Sequence, residues 1–376
     1  MNNYYIGIMS GTSLDGIDAV LSHISATGKT KVLIHTELEM DDSLRKIYFD
    51  LQSPSANEIH NEALAANQLA LHYHLAVQKT LKSAELKSSD IIAIGAHGQT
   101  IRHQPQMHDG FGYTWQSLNA ALLAEISEID VIADFRSRDI AAGGQGAPLV
   151  PAFHYAQFAG NTPKVVLNIG GISNLSLLSA KNQTEVIGFD SGPGNALMDY
   201  WASRHLNKRF DENGTWAKSG KPIDALLKHM LNDSYFLLKP PKSTGRDLFN
   251  PSWLERQLQE THLASSKPED IQATLLALCA HSIANDLKKY APDAQELFIC
   301  GGGIKNQALV EHISELCSHI SRSNIKSTSD LGIDPQAMEA AAFSWLAWAH
   351  KTKQPANLPA ATGAKGQRIL GAHYPA

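Results

Sequence analysis

Cysteine is scarce in this chain: three among 376 residues, Cys279, Cys300 and Cys317, with no Cys-x-x-Cys spacing. An odd count without paired spacing argues against a disulfide scaffold and a thiolate zinc site, and fits a reducing compartment. Long apolar runs are missing as well. None approaches the roughly 18 residues that a membrane span needs, and residues 1–7 lack the basic and apolar stretches of a signal peptide. Positive charge is not in excess either: the formal net charge is -5 and no Lys/Arg cluster stands out. A nucleic-acid partner needs a basic stripe to neutralise phosphates, so that class is set aside. The expectation is a cytoplasmic protein with neither a membrane nor a nucleic-acid partner.

What is present is an ordinary globular balance, 43% hydrophobic and 18% charged residues. The length exceeds what one hydrophobic core usually fills, so two domains are expected. One pattern occurs twice. Residues 4–9 read as a strand, 10–16 as a turn of small polar residues and 17–24 as a second strand. Far along the chain, 165–169, the Gly170-Gly171 turn and 172–178 repeat it. Two glycine-bent hairpins, one opening each half, suggest a duplicated lobe. Helices are expected at 61–82 (from Leu64, Leu69, Leu71, Leu75 and Val77), 118–126, 195–204, 271–289, from Asn306 and at 336–351. Strands at 91–95, 131–133 and 297–300 alternate with them, which implies a mostly parallel sheet with covered faces. Residues 96–100 and 134–139 read as polar loops, and the tail beyond Gln354 as surface loop. The lobe boundary is placed near Asp139.

Several positions carry chemistry. Gly11 and Gly16, with the hydroxyls of Thr12 and Ser13, can present backbone N–H groups to phosphate oxygens, although small residues also simply make tight turns. A second, opposed turn at Gly170 and Gly171 would grip a polyphosphate from the other side. No Gly-Lys-Ser/Thr follows either turn, so neither is a Walker loop. Gly301, Gly302 and Gly303 follow an apolar strand and precede a helix, the ligand edge of an open α/β sheet; a tight strand–helix turn rarely needs three glycines. Asp190, on a turn of small residues between a strand and a helix, can take a proton from a hydroxyl or a water. Its alternative role, a helix cap, could be filled by Ser191 or Asn195. Glu339, among apolar residues of the last helix, reads more simply as a solvated first-turn residue. Arg136 and Arg138 could neutralise a transferring phosphate or hold a substrate carboxylate, or pair with Asp139 at the surface. His97 could hydrogen-bond a sugar or serve the structure.

Taken together, residues 7–16, 95–100, 134–139, 143–151, 168–172, 188–195, 241–246 and 301–303 resemble the anhydro-N-acetylmuramic acid kinase family, within the actin, hexokinase and heat-shock ATPase superfamily, over nearly the whole chain. The resemblance implies an α/β, two-lobed duplicated actin-like, ribonuclease H-like fold with a central nucleotide cleft. The first lobe would span 1–138 and the second 139–350, with 351–376 packing back onto the first. It implies an enzyme that opens 1,6-anhydro-N-acetylmuramic acid with water and phosphorylates O6 at the expense of ATP and Mg²⁺, in peptidoglycan recycling. Asp190 would activate the water, Glu339 would help position it, and His97, Arg136 and Arg138 would meet the sugar. Gly11, Thr12, Ser13, Leu14, Asp15, Gly16, Ile17, Asp18, Asn168, Gly170, Gly171 and Gly301–Gly303 would meet ATP. Mg²⁺ would ride on the phosphates, with a water bridge to Asp15 as one route, and a homodimer is implied. An ordinary hexose or amino-sugar kinase and a nucleotide-gated binding protein are the rival readings. A glycosidase would leave both phosphate hairpins without a role.

Overall fold

Two short glycine-containing turns set the topology, because a tight turn can only join antiparallel neighbours, whereas parallel neighbours need a crossover. The computed structural model describes residues 3–11, 14, 16–179, 185–245 and 248–376. Along the chain come β1 (Tyr4–Ser10), β2 (Gly16–Ile24), β3 (Thr30–Glu39), α1 (Asp42–Asp50), α2 (Glu58–Ala84) and β4 (Ile91–Ala96). Then follow β5 (Gln99–Pro105), β6 (Gly112–Ser117), α3 (Ala120–Ser127), β7 (Val131–Ala133), α4 (Ser137–Ala141) and α5 (Val150–Phe158). The next stretch holds β8 (Lys164–Ile169), β9 (Ile172–Leu178), β10 (Ile187–Pro193), α6 (Ala196–Leu206), α7 (Thr215–Ser219), α8 (Asp224–Leu231), α9 (Pro251–Glu260) and α10 (Pro268–Tyr290). It continues through β11 (Glu296–Cys300), α11 (Gln307–Leu316) and β12 (Ile325–Ser327), and the chain ends with α12 (Met338–Lys351), α13 (Pro359–Thr362) and β13 (Ala372–Tyr374).

The chain packs as two units: Met1–Gln157 with Ala337–Ala376, and Phe158–Gln336. The division therefore falls about twenty residues beyond the expected boundary, and α12 belongs to the first unit rather than the second. In the first unit the strand order is β13-β7-β4-β1-β2-β3; in the second it is β10-β9-β8-β11-β12. Leaving out β13, the two orders are the same. In each, three antiparallel strands run from the opening hairpin, and two parallel strands follow through helical crossovers. The sheets are thus mixed rather than mostly parallel, since each opening hairpin adds two antiparallel pairs.

In the first unit β1 and β2 form the expected hairpin, with Ser10 opposite Ile17. The helix expected at 61–82 is α2, but its inward face differs from the one the leucines suggested. Ala65, Ala66, Leu69, Ala70, Tyr73, Ala76, Val77, Thr80 and Leu81 are buried, while Leu64, Leu71 and Leu75 are about half exposed. Small residues at i, i+3 and i+4 let the helix lie close to the sheet, and the three leucines fall on the outer stripe. Residues 99–105, of which 99 and 100 were read as loop, begin a two-stranded sheet with β6. The 134–139 stretch contains the start of α4, and the tail carries α13 and the edge strand β13, antiparallel to β7.

The last helix explains two glycines at once. Gly7 on β1 and Gly95 on β4 are register partners. A Cβ on Gly7 would lie 1.9 Å from the Ala340 carbonyl oxygen, and one on Gly95 2.0 Å from that of Phe343. Backbone of α12 thus rests directly on two bare strands, an approach only glycine permits. From Met338 to Ala349 all but one residue of this helix are buried, and each large side chain contributes roughly 1.5–3 kcal/mol of burial. The helix begins at Met338, with Pro335 and Gln336 before it.

Within the second unit, β8 and β9 form the second expected hairpin, Ile169 opposite Ser173. The core runs along α10, where fifteen of 23 residues are buried, against Phe189, Leu197, Trp201, Phe249 and Trp253. Asn306 caps α11, its side chain accepting from the Leu309 N–H at 3.1 Å.

Candidate active site

The candidate residues of the first unit gather at the ends of β1, β4 and β7. Thr12, Ser13 and Asp15 lie outside the described residues. The rest of that turn is held from outside by side chains: Arg45 Nε donates to the Leu14 carbonyl at 2.8 Å and Gln99 Nε2 to the Gly11 carbonyl at 3.1 Å. Leu14 and Ile17 are core residues, 3% and 1% exposed, so only their backbone could face a ligand. Asp18 Oδ1 lies 2.8 Å from His35 Nε2, at hydrogen-bond distance. Asp18, His35 and Glu37 bring ligand atoms within 4.8 Å of one another. An imidazole in the set suits a transition metal better than Mg²⁺, which prefers oxygen throughout.

His97 and Arg136 form one device. Arg136 donates from Nε (3.2 Å) and Nη2 (2.9 Å) to His97 Nε2, and from Nη1 to the Gly146 carbonyl at 2.8 Å. The histidine is 6% exposed and its ring sits 4.8 Å from that of Phe343. Burial, reinforced by the adjacent guanidinium, pushes its pKa down to about 3, so the ring is neutral and accepts. His103, on β5, is likewise driven down to about 4 by burial and by Arg136. Arg138 is exposed. Asp139 does not pair with these arginines at the surface. It is fully buried and accepts from Asn357 Nδ2 (2.7 Å), Thr362 Oγ1 (2.8 Å) and the Gly146 N–H (2.8 Å), which ties the tail to this loop. Glu339 is half-buried in the first turn of α12, neither fully solvated nor sealed.

In the second unit the Gly170-Gly171 turn is held by backbone. The N–H groups of Asn195 and Ala196, and that of Gly194 before them, donate to the carbonyls of Gly170 and Gly171 at 2.8–3.2 Å. The amino end of α6 therefore grips the turn itself. Of the three glycines after β11, two are explained by packing: a Cβ on Gly301 would meet Asn168 Oδ1 at 2.3 Å, and one on Gly303 would meet Ile169 Cγ2 at 2.3 Å. Only at Gly302 is there room, the nearest atom lying 4.0 Å away, and Gly170 is nearly as open, at 3.6 Å. These two are where a bound group could approach bare backbone.

Asp190 sits inside β10 rather than on a turn after a strand. Its pairing with β9 slips between Asp190 and Gly192, so Ser191 is the extra residue of a bulge, a device that re-aims neighbouring side chains. The aspartate backbone is bolted at both ends, its N–H to the Lys242 carbonyl (3.1 Å) and its carbonyl by the Tyr235 hydroxyl (2.7 Å). Its carboxylate Oδ2 accepts the Thr244 N–H at 2.9 Å. Thr244, Tyr235 and Lys242 received no role from the sequence. The 241–246 run enters the sequence reading only as part of the family resemblance, and its folding onto β10 is what brings Lys242 and Thr244 to Asp190. Two surface pockets of about 290 and 220 Å³ are lined by none of the candidate residues.

Each unit carries one copy of a five-strand plan with a turn between its first two strands. This duplication places the protein in the actin-like ATPase fold class. The model of the anhydro-N-acetylmuramic acid kinase family matches residues 3–376. An anhydro-N-acetylmuramic acid kinase from Ralstonia nicotianae is 50% identical over 376 residues, covering 99% of this chain and 97% of its own. One from Cupriavidus pinatubonensis is 50% identical over 372 residues, covering 99% and 98%. A solved activator of 2-hydroxyisocaproyl-CoA dehydratase from Clostridium difficile aligns with a TM-score of 0.45 and 10% identity over 93% of this chain and 96% of its own. The chain belongs to the anhydro-N-acetylmuramic acid kinase family and is an enzyme, a kinase. Among the described residues no helix is long and apolar enough to cross a membrane.

Proposed function

We propose that this enzyme opens 1,6-anhydro-N-acetylmuramic acid and phosphorylates it in one linked event, with Asp190 as general base. The observation that carries the assignment is the fixed Asp190: backbone held at N–H and carbonyl, carboxylate oriented by the Thr244 N–H. A carboxylate so held takes a proton from a water in front of it without first reorganising. The water oxygen bonds to the anomeric carbon, the bond from that carbon to O6 breaks, and O6 takes the γ-phosphoryl group as ADP leaves. The product is N-acetylmuramic acid 6-phosphate, a step of peptidoglycan recycling, and the protein acts in the cytoplasm.

ATP is the phosphoryl donor, with the open backbone at Gly170 and Gly302 suited to its close approach. Mg²⁺ bound with the nucleotide would supply charge neutralisation during phosphoryl transfer. Arg136, preset by neutral His97 and the Gly146 carbonyl, presents its guanidinium to the anionic sugar, so His97 acts through the arginine. Glu339, half-buried on its glycine-seated helix, orients the water. The outward stripe of Leu64, Leu71 and Leu75 on α2 offers apolar surface for a homodimer.

The test is turnover of Mg-ATP with the anhydro sugar in heavy-oxygen water, wild type beside Asp190→Asn. ADP released only with this sugar, solvent oxygen in the product and a loss of about 10²–10⁴-fold in the variant support the reading. ADP released with a free hexose, and no solvent oxygen incorporated, would make this an ordinary sugar kinase.

A further inference from the structure

We propose that the buried Lys242–Asp286 ion pair is a positioning device for Asp190, a role that rests on Asp190 being the base. Lys242 Nζ lies 3.2 Å from Asp286 Oδ2, with side chains only 2% and 10% exposed. Its ammonium also faces the rings of Tyr235 and Phe189, at 5.0 and 5.6 Å. Burial raises the Asp286 carboxyl pKa, opposed by the lysine, by the Ser191 hydroxyl and by Lys289 on the same helix.

The placement matters more than the pair itself. Asp286 is on α10, the central helix of this unit's core. Lys242 is in the segment crossing Asp190, and its own carbonyl takes the Asp190 N–H. Two residues on, Thr244 supplies the N–H to the carboxylate. Tyr235, against which the ammonium packs, donates to the Asp190 carbonyl. The side chain of Lys242 thus pins to the core a stretch that meets both the backbone N–H and the carboxylate of Asp190 from outside β10. Buried ion pairs give little or no net stability, because desolvation offsets their attraction, and apolar residues of similar volume usually serve the fold as well. A pair kept at this spot is therefore read as fixing geometry.

The experiment compares Lys242→Met, Asp286→Asn and the apolar double variant Lys242→Met/Asp286→Leu, with Thr244→Pro removing the donated N–H together with the hydroxyl and some backbone freedom. Steady-state kinetics and thermal midpoints are measured on each. The single variants should lose midpoint and kcat together. The double variant should regain the midpoint while kcat stays down by about 10- to 100-fold, with KM for ATP and sugar within about threefold, as expected when a catalytic group is displaced rather than a binding one. Thr244→Pro should show a similar fall in kcat and add little to that of Lys242→Met. Recovery of kcat along with the midpoint, or full additivity of Thr244→Pro with Lys242→Met, would overturn the proposal. Asp190→Asn in the same assay separates the two ideas: an active Asp190→Asn would remove the base assignment itself, whatever the pair does.

Discussion

The two units build the same five-strand plan but secure their turns by different means. In the first, side chains from elsewhere reach in: Arg45 to the Leu14 carbonyl and Gln99 to that of Gly11. In the second, the backbone of the α6 amino end reaches the carbonyls of Gly170 and Gly171. A turn held by side chains can be loosened by one substitution, whereas one held by main-chain donors cannot. A sharper contrast lies between two kinds of glycine, since Gly301 and Gly303 of the second unit are as crowded as Gly7 and Gly95 of the first. In the first unit Gly7 and Gly95 are obligatory for packing, while in the second Gly302 leaves open space.

The comparison breaks most sharply at those glycines. Gly95→Ala should destabilise the first unit by about 3 kcal/mol or more, because the new methyl falls on helix backbone that cannot yield locally. Gly302→Ala should change stability by less than about 0.5 kcal/mol, since its Cβ would come no nearer than 4.0 Å to its closest neighbour, Asn195 Nδ2, and instead raise KM for ATP. Denaturant melts and kinetics of the two variants decide this, and equal stability losses would refute it. Next in size, Arg45→Ala should weaken nucleotide binding by about 1–2 kcal/mol, the worth of a hydrogen bond from a charged donor, with unchanged kcat at saturation. ATP titration reads this directly.

A third difference is acid sensitivity. In the first unit His97, His103 and His154 are held neutral by burial, to about 3, 4 and 3. His205, His281 and His319 of the second are also lowered, but its largest departures are Cys279 and Cys317, raised to about 12 and 11, far from the acid range. For a histidine with a depressed folded pKa, stabilisation is complete above the unfolded value of about 6.5 and drains away as pH falls towards 3–4, because the unfolded chain binds the proton first. Amides of β1 and β4 should therefore lose exchange protection before those of β8 and β11 between pH 6.5 and 4. The smallest effect concerns β13. The cost of burying Asp130 is outweighed by Lys351, the Ala376 N–H and His373, which bring its pKa down to about 2. Its contribution is present above about 4 and lost as pH falls through 2. Asp130→Asn should abolish that last dependence, read as exchange at 372–374.

Much of this was legible in the sequence where local chemistry decides the outcome. Both hairpins, the α10 and α12 helices and the strand before Gly301 follow from apolar periodicity and glycine placement. What depended on partners far along the chain was not. Gly7 and Gly95 look like ordinary strand glycines until Ala340 and Phe343 arrive above them. The leucines of α2 misled because the inward face is made of alanines and Tyr73. The sequence sets Asp190 on a turn, whereas it lies within β10, because no local signal marks a bulge at Ser191. Gly301 and Gly303 were read as ligand contacts, although Asn168 and Ile169 already require them. Lys242 gave no sign of burial, since its counter-charge lies 44 positions away on α10.

The seating of α12 on Gly7 and Gly95 also has a temporal side. The second unit is one continuous stretch of chain and can complete its core as soon as it has left the ribosome. The first unit cannot, for the helix seated on Gly7 and Gly95 reaches them through Ala340 and Phe343, 333 and 248 residues further along the chain. Such distant closure is slow, and until it happens the bare faces of β1 and β4 remain exposed on the growing chain. Strands made before the second unit are therefore finished after it, and until then their uncovered faces are open to unwanted contacts.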